Sequence, residues 1–242
     1  MFRHQGNSRN INHNKKIASL LSLVAGIVNV VGFLSVQRLT TNVTGHFAFF
    51  VDAVFKLQLL NSVTYFFYIF FFFLGSFVSS LLVEIITRKN KRYIFIIPTL
   101  IESFILFTIA FLGNFLLVNY SNLITFSLLF AMGLQNSLVT RISNAVVRTT
   151  HLTGLFTDLG IELSQLLFKK NQKEKLISTI KLRLRIIAYF FCGGITGGIL
   201  FIHLEFHSLF IPALLLLFGL YYDTLKYQLV RWKRKLDSIE NM

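Results

Sequence analysis

"YFFYIFFFFLG", residues 65–75, decides the fold. Inside a bilayer every backbone polar group must be satisfied by the chain itself, so an apolar stretch is either a helix or a strand of a closed barrel. Barrel strands alternate in polarity over about 10 residues. This run does not alternate, so it reads as helix. Composition agrees: 54% of the 242 residues are apolar, 28 are phenylalanine and mean hydropathy is +0.65, more than a soluble domain can bury.

A hydrocarbon layer of roughly 30 Å takes about 20 helical residues to cross. Runs of that kind occur near Ile17–Val36, Val63–Ile86, Tyr93–Val118, Leu123–Val139, Ile186–Ile202 and Leu209–Tyr222. The expectation is an all-α polytopic membrane protein with six transmembrane helices. Residues 1–16 form a cytoplasmic N-terminal segment, 17–222 a single membrane domain and 223–242 a basic cytoplasmic tail. The run that begins at Ile17 is too long for a signal-peptide core, and no small-residue cleavage site follows it, so it is kept as the first span.

The net charge of +14 would suggest nucleic acid in a soluble protein, but its distribution argues otherwise. Basic residues cluster before the first span (Arg3, Arg9, Lys15, Lys16), in "RKNKR" at 88–92, between Arg141 and Arg185, and in the tail from Lys226 through "RWKRK". The intervening loops hold only Arg38 and Lys56. By the positive-inside rule both termini are cytoplasmic. The charge is topological, no nucleic-acid partner is expected, and anionic lipid head groups are its natural neighbours. The only cysteine, Cys192, lies in an apolar span, where it is expected to pack.

The chain repeats itself. "LTTNVTG" (39–45) and "RTTHLTG" (148–154) share the hexad Thr-Thr-x-x-Thr-Gly. Gly26 and Asn29 precede the first, Gly133 and Asn136 the second; "FFLGSFVSSLL" (72–82) and "FFCGGITGGIL" (190–200) follow, and Pro98 and Pro212 close the series. Repeat 1 covers about 17–118 and repeat 2 about 123–222. Three spans in each half give opposite orientations, a 3+3 inverted repeat of the kind in which secondary transporters build midplane sites from broken helices.

Each hexad stands before an apolar helical run, so the expectation includes two half-helices. Threonine caps a helix, glycine permits close approach, and a helix start favours an anionic group. Thr40, Thr41, Thr44, Gly45, Thr149, Thr150, Thr153 and Gly154 are therefore the expected substrate-binding set, together with Asn29 and Asn136, which serve either as interhelical hydrogen bonds or as ligand contacts. Asp52, Asp158, Glu162 and Glu102 are the ionisable residues with a coupling role in view, because charge at membrane depth is costly. Asp52 and Lys56 share a helical face as an ion pair; Asp158 and Glu162 share another, where mutual repulsion would raise a pKa unless Arg141 or Arg148 answers them. Glu84 is expected to pair beside "TRKNKR" (87–92). Gly75/Ser79 and Gly193/Gly197 have the small-xxx-small spacing of helix packing, crossing one another at the centre or mediating a homodimer. Pro98 and Pro212 either kink their helices or stand at helix starts.

"NVTGHFAFFVDAVF" (42–55), "AMGLQNSLVTRISNAVVRTTHLTGLFTDLGIEL" (131–163) and the glycine-rich fifth helix resemble the YoaK family of bacterial membrane proteins. The resemblance spans about Ile17 to Tyr222. It implies a bacterial inner-membrane protein of about six spans and brings no established activity. Where the family pattern is nearer to Asn-x-Thr-Gly-Asn, this chain has His46 in place of the last Asn, so the resemblance does not carry over a ligand role resting on that amide.

Zinc-protease, serine-elbow, P-loop and Cys/His motifs are absent from the sequence, so no enzyme, metal or cofactor is expected. The functional reading is a secondary transporter of a small solute, with anions favoured by the helix starts. The alternatives are a non-transporting structural or accessory protein and, behind it, a lipid-acting enzyme using Asp158, Glu162 and His151.

Overall fold

The computed structural model describes residues 11–89, 94–143, 147 and 149–222, without the side chains of 11–13, 89, 142 and 170. The basic tail, most of "RKNKR" and Arg148 lie outside the described residues. Among those described, every regular element is helical, as the sequence predicts. In chain order they are α1 (Ile11–Val36), α2 (Val43–Phe55), α3 (Leu59–Lys89), α4 (Ile96–Ile142), α5 (Leu152–Phe168) and a 3-10 turn at Lys170–Gln172. Then come α6 (Lys173–Leu204), a second 3-10 turn at Glu205–Leu209, and α7 over residues 210–222.

Among the described residues, four stretches are long and apolar enough to cross a membrane: Asn14–Val36, Leu59–Arg88, Ile96–Arg141 and Lys173–Tyr222. The last two, at 46 and 50 residues, are far longer than one crossing needs, and both are interrupted. α4 leaves helical geometry at Tyr120 (φ −139°, ψ 41°), within the polar "NYSN" (119–122). Lys173–Tyr222 breaks at the Glu205–Leu209 turn. The six apolar runs of the sequence thus correspond to α1, α3, two arms of α4, α6 and α7. The bend in α4 belongs to Tyr120 and not to Pro98. Pro98 and Pro212 are each the third residue of a helix, where an N–H has no intrahelical partner to lose.

α1, α2 and α6 end without glycine. Gln37 (φ 53°), Leu57 (φ 57°) and Glu205 (φ 48°) take positive φ there instead. Gln37 N donates back to Phe33 O at 2.8 Å, and Gln58 N to Ala53 O at 2.9 Å, which satisfies carbonyls that the helix end leaves open.

Two pairs of helices come into backbone contact. A Cβ on Gly26 of α1 would overlap the Phe190 carbonyl of α6, and one on Gly193 would overlap that of Leu23. A Cβ on Gly75 of α3 would overlap the Phe130 carbonyl of α4, and one on Gly133 that of Phe72. In each pair a glycine meets the carbonyl three residues before its partner glycine, so the two contacts have the same reciprocal form. This corrects the expected crossing of the α3 and α6 small-residue faces: α3 packs on the second arm of α4, and α6 on α1. Gly197 continues the α1 contact against Ile27, while Ser79 is fully buried in α3 with no hydrogen-bond partner for its hydroxyl.

α2 lies on α3 and α5 on α6. The first arm of α4 packs on α7, where Ser103 Oγ donates to Ala213 O at 3.0 Å and Phe107 meets Phe210 at 5.6 Å. One buried cluster runs through the helices, from Ile17 and Val28 of α1 through Leu128 and Met132 of α4 to Ile186 of α6. The outer surface is apolar as well, with Phe66, Phe73 and Phe77 of α3 and Phe104, Phe111 and Phe115 of α4 exposed, which suits contact with lipid tails. Cys192, expected to pack, is exposed on α6.

Candidate functional site

The hexads are held by two matching tethers. Thr41 Oγ1 donates to Asn29 Oδ1 at 2.7 Å, and Thr150 Oγ1 to Asn136 Oδ1 at 2.8 Å. The first threonine of each hexad is fully buried beneath the second. Thr40 Oγ1 donates to Val28 O at 3.3 Å; Thr149 Oγ1 accepts from Gln135 Nε2 at 3.3 Å, and the same amide donates to Leu21 O at 3.0 Å. Val28 and Gln135 are the residues preceding the two asparagines, so each hexad is anchored on consecutive positions of one helix. Sequence analysis found the asparagines through the repeat; it missed Gln135, whose counterpart acts through its carbonyl and leaves no side-chain signal.

With the threonine pairs pointing inward, the rest of each hexad starts a helix. Asn42 caps α2, its Oδ1 accepting from Gly45 N at 3.1 Å. This corrects the expectation that a hexad threonine supplies the cap: Thr44 lies inside the first turn. His151 holds the equivalent position before α5 and makes no side-chain capping bond. His46 is buried and tied to the residue before its hexad, Nε2 lying 2.6 Å from Leu39 O. Its ring packs on Tyr68 at 4.8 Å, and Tyr68 Oη donates to Asn122 Oδ1 at 2.5 Å. Position 46 is therefore a strut between α2 and α3.

The two hexads face one cavity of about 500 Å³. Thr41, Asn42, Val43 and Thr44 line it from the first, and Thr150, His151, Leu152, Thr153 and Gly154 from the second. Asn29 of α1, Ile69, Phe72, Phe73 and Ser76 of α3, Phe190 of α6 and Leu39 complete the wall. Thr40, Thr149 and Asn136 stand behind this lining, and Gly45 outside it. Apart from the His151 ring, no lining side chain is ionisable. Apart from Gly45 N, which Asn42 caps, the first-turn N–H groups of α2 and α5 lack intrahelical partners by helix geometry, which adds donors where the hexads meet the cavity.

The ionisable residues lie elsewhere. Asp52 and Lys56 form the expected pair at 2.8 Å, but on the surface, with more than half of each side chain exposed. Such pairs contribute little. Asp52→Asn is expected to shift unfolding in detergent by less than about 0.5 kcal/mol; a larger loss in thermal scans would show that the pair is structural. Asp158 and Glu162 are not left to repel one another: Arg183 of α6 reaches Asp158 at 2.9 Å and holds Glu162 in a two-pronged contact at 2.9 and 3.0 Å. The sequence reading looked to Arg148, outside the described residues, and to Arg141, which instead pairs with Glu84 of α3 at 2.5 Å and donates to Ser80 at 2.8 Å. Arg183 sits in the basic "KLRLR" (181–185) and was read only as topological charge; its place just before the apolar run at Ile186 was the available signal. Glu102 is buried in the first arm of α4, Oε1 without a partner, away from the cavity. No group of three or more metal-ligating side chains occurs among the described residues.

Comparison with known proteins places this arrangement. Residues 17–222 match the family described as "Protein of unknown function (DUF1275)". The chain is similar to the UPF0700 transmembrane protein YoaK of Bacillus subtilis (strain 168), 29% identical over 187 residues that cover 75% of this chain and 81% of the relative. No solved structure matches. The match runs from the second turn of α1 to the end of α7 and takes in both hexads and the cavity, and the chain therefore belongs to the DUF1275 family as a YoaK-like membrane protein.

Proposed function

We propose that the protein is a secondary transporter of a small solute, built as a 3+3 inverted repeat with both termini in the cytoplasm of a bacterial inner membrane. The observation that carries the reading is that both hexads line a shared cavity. α1, α3 and the first arm of α4 serve as the spans of one half; the second arm, α6 and α7 serve as those of the other. α2 and α5 are the half-helices, α2 with 13 residues being too short to cross. Three crossings per half give opposite orientations. The reciprocal glycine contacts and the matching Asn–Thr tethers support this, because a two-fold relation carries each onto the other.

The cavity volume lies within the roughly 300–1,000 Å³ of small-molecule sites. A neutral polar solute or a small anion suits its hydroxyls, amides and helix starts, which offer donors without a fixed counter-charge. The test is flux in liposomes reconstituted with the full chain, against a panel of small anions and neutral polar solutes. Protein-dependent flux that is lost on filling the cavity by Thr44→Trp is expected. No flux for any solute, with Thr44→Trp behaving as the native chain, would favour an accessory protein instead.

A further inference from the structure

The repeat register exposes a difference between the halves. Counting four residues past Gly45 and Gly154 places Phe49 opposite Asp158, and ten before Gly75 and Gly193 places Tyr65 opposite Arg183. Both positions are contacts between a half-helix and the helix beneath it. In the first half Phe49 stacks on Tyr65 at 5.4 Å. In the second the same place is ionic, Arg183 binding both Asp158 and Glu162.

The cavity shows the same asymmetry. It extends along α3 through Ile69, Phe72, Phe73 and Ser76, but touches α6 only at Phe190, the counterpart of Phe72. Ile187, the counterpart of Ile69, is buried instead. The cavity is thus open along the helix beneath α2 and shut along the helix beneath α5, where the ion cluster sits. Arg183 and Glu162 are largely buried, with side chains 22% and 14% exposed, so salt screens their attraction less than that of a surface pair. The guanidinium's fixed fork ties α5 to α6 in one geometry.

We propose that Arg183, through Asp158 and Glu162, is the latch that holds α5 on α6 and keeps that side of the cavity closed, so that α5 must leave Arg183 for a solute to pass. The latch rests on reading the cavity as a solute site. Its test uses the full chain with Cys192→Ala and Thr153→Cys, in sealed vesicles of both orientations, and the rate of modification by a charged, membrane-impermeant maleimide. In the native background Thr153→Cys reacts from one side only. Adding Arg183→Gln is expected to raise the rate from the other, α6 N-terminal side by at least tenfold. Arg183→Lys gives an intermediate rate, and the exchanged pair Glu162→Arg with Arg183→Glu restores the slow one, which separates latch release from loss of fold. Equal rates with and without Arg183 overturn the latch and leave the cavity standing. No reaction from either side in any background overturns the cavity reading itself.

Discussion

Gly133→Ala is expected to prevent recovery of folded protein, or to lower its stability beyond the roughly 1–3 kcal/mol typical of overpacking. The new Cβ would overlap the carbonyl oxygen of Phe72, and a backbone atom in a helix cannot rotate aside as a side chain does. α3 and α4 would have to separate, taking Ser76 Oγ from its bond to Gly133 O at 3.1 Å. Gly26→Ala, Gly75→Ala and Gly193→Ala meet carbonyls in the same way and should behave alike. Gly160→Ala is the control: nothing lies within 4 Å of its Cβ, and alanine within α5 should stabilise by about 0.5–1 kcal/mol. Thermal unfolding in detergent measures all five. A tolerated Gly133→Ala would mean that the helices are not in backbone contact.

Thr150→Val is expected to cost more than the double change Thr150→Val with Asn136→Leu. Asn136 is 6% exposed, and its Nδ2 already lacks a partner. Its Oδ1 is satisfied by the Thr150 hydroxyl. Valine at 150 strands the whole amide, at about 1–3 kcal/mol for a buried polar group, whereas removing both partners is close to neutral. The single variant also frees the start of α5, whose residues 151–154 line the cavity. Unfolding midpoints for the two variants decide the matter; equal losses would show that the tether is not buried.

What the sequence made legible was what it said twice. Apolar runs gave the helices, and the recurrence of Thr-Thr-x-x-Thr-Gly pointed to the walls of the cavity before any geometry was known. Recurrence says nothing about which helix meets which. The glycines were therefore recognised as packing surfaces but expected to cross one another or to mediate a dimer, whereas each meets a helix carrying the other glycine motif. The apolar runs marked the end of α1 at Val36 and came within two residues of the end of α6, but they did not show that Gln37, Leu57 and Glu205, rather than glycines, take positive φ at helix ends. Arg183 was hidden among basic residues that topology alone explains, and its partners Asp158 and Glu162 were read without it. Asn42 is among the strongest capping residues, yet the threonines of the hexad drew the assignment.

The measurement closest to the central claim is a cross-link between the two hexads. With Cys192→Ala, cysteines at positions 44 and 153 are treated in membranes with a short bis-maleimide. A common cavity predicts an intramolecular cross-link in high yield, absent from either single-cysteine protein and blocked by prior modification with a monofunctional maleimide. Cysteines that each react with a monofunctional reagent but never join would place the hexads in separate surroundings and contradict the account.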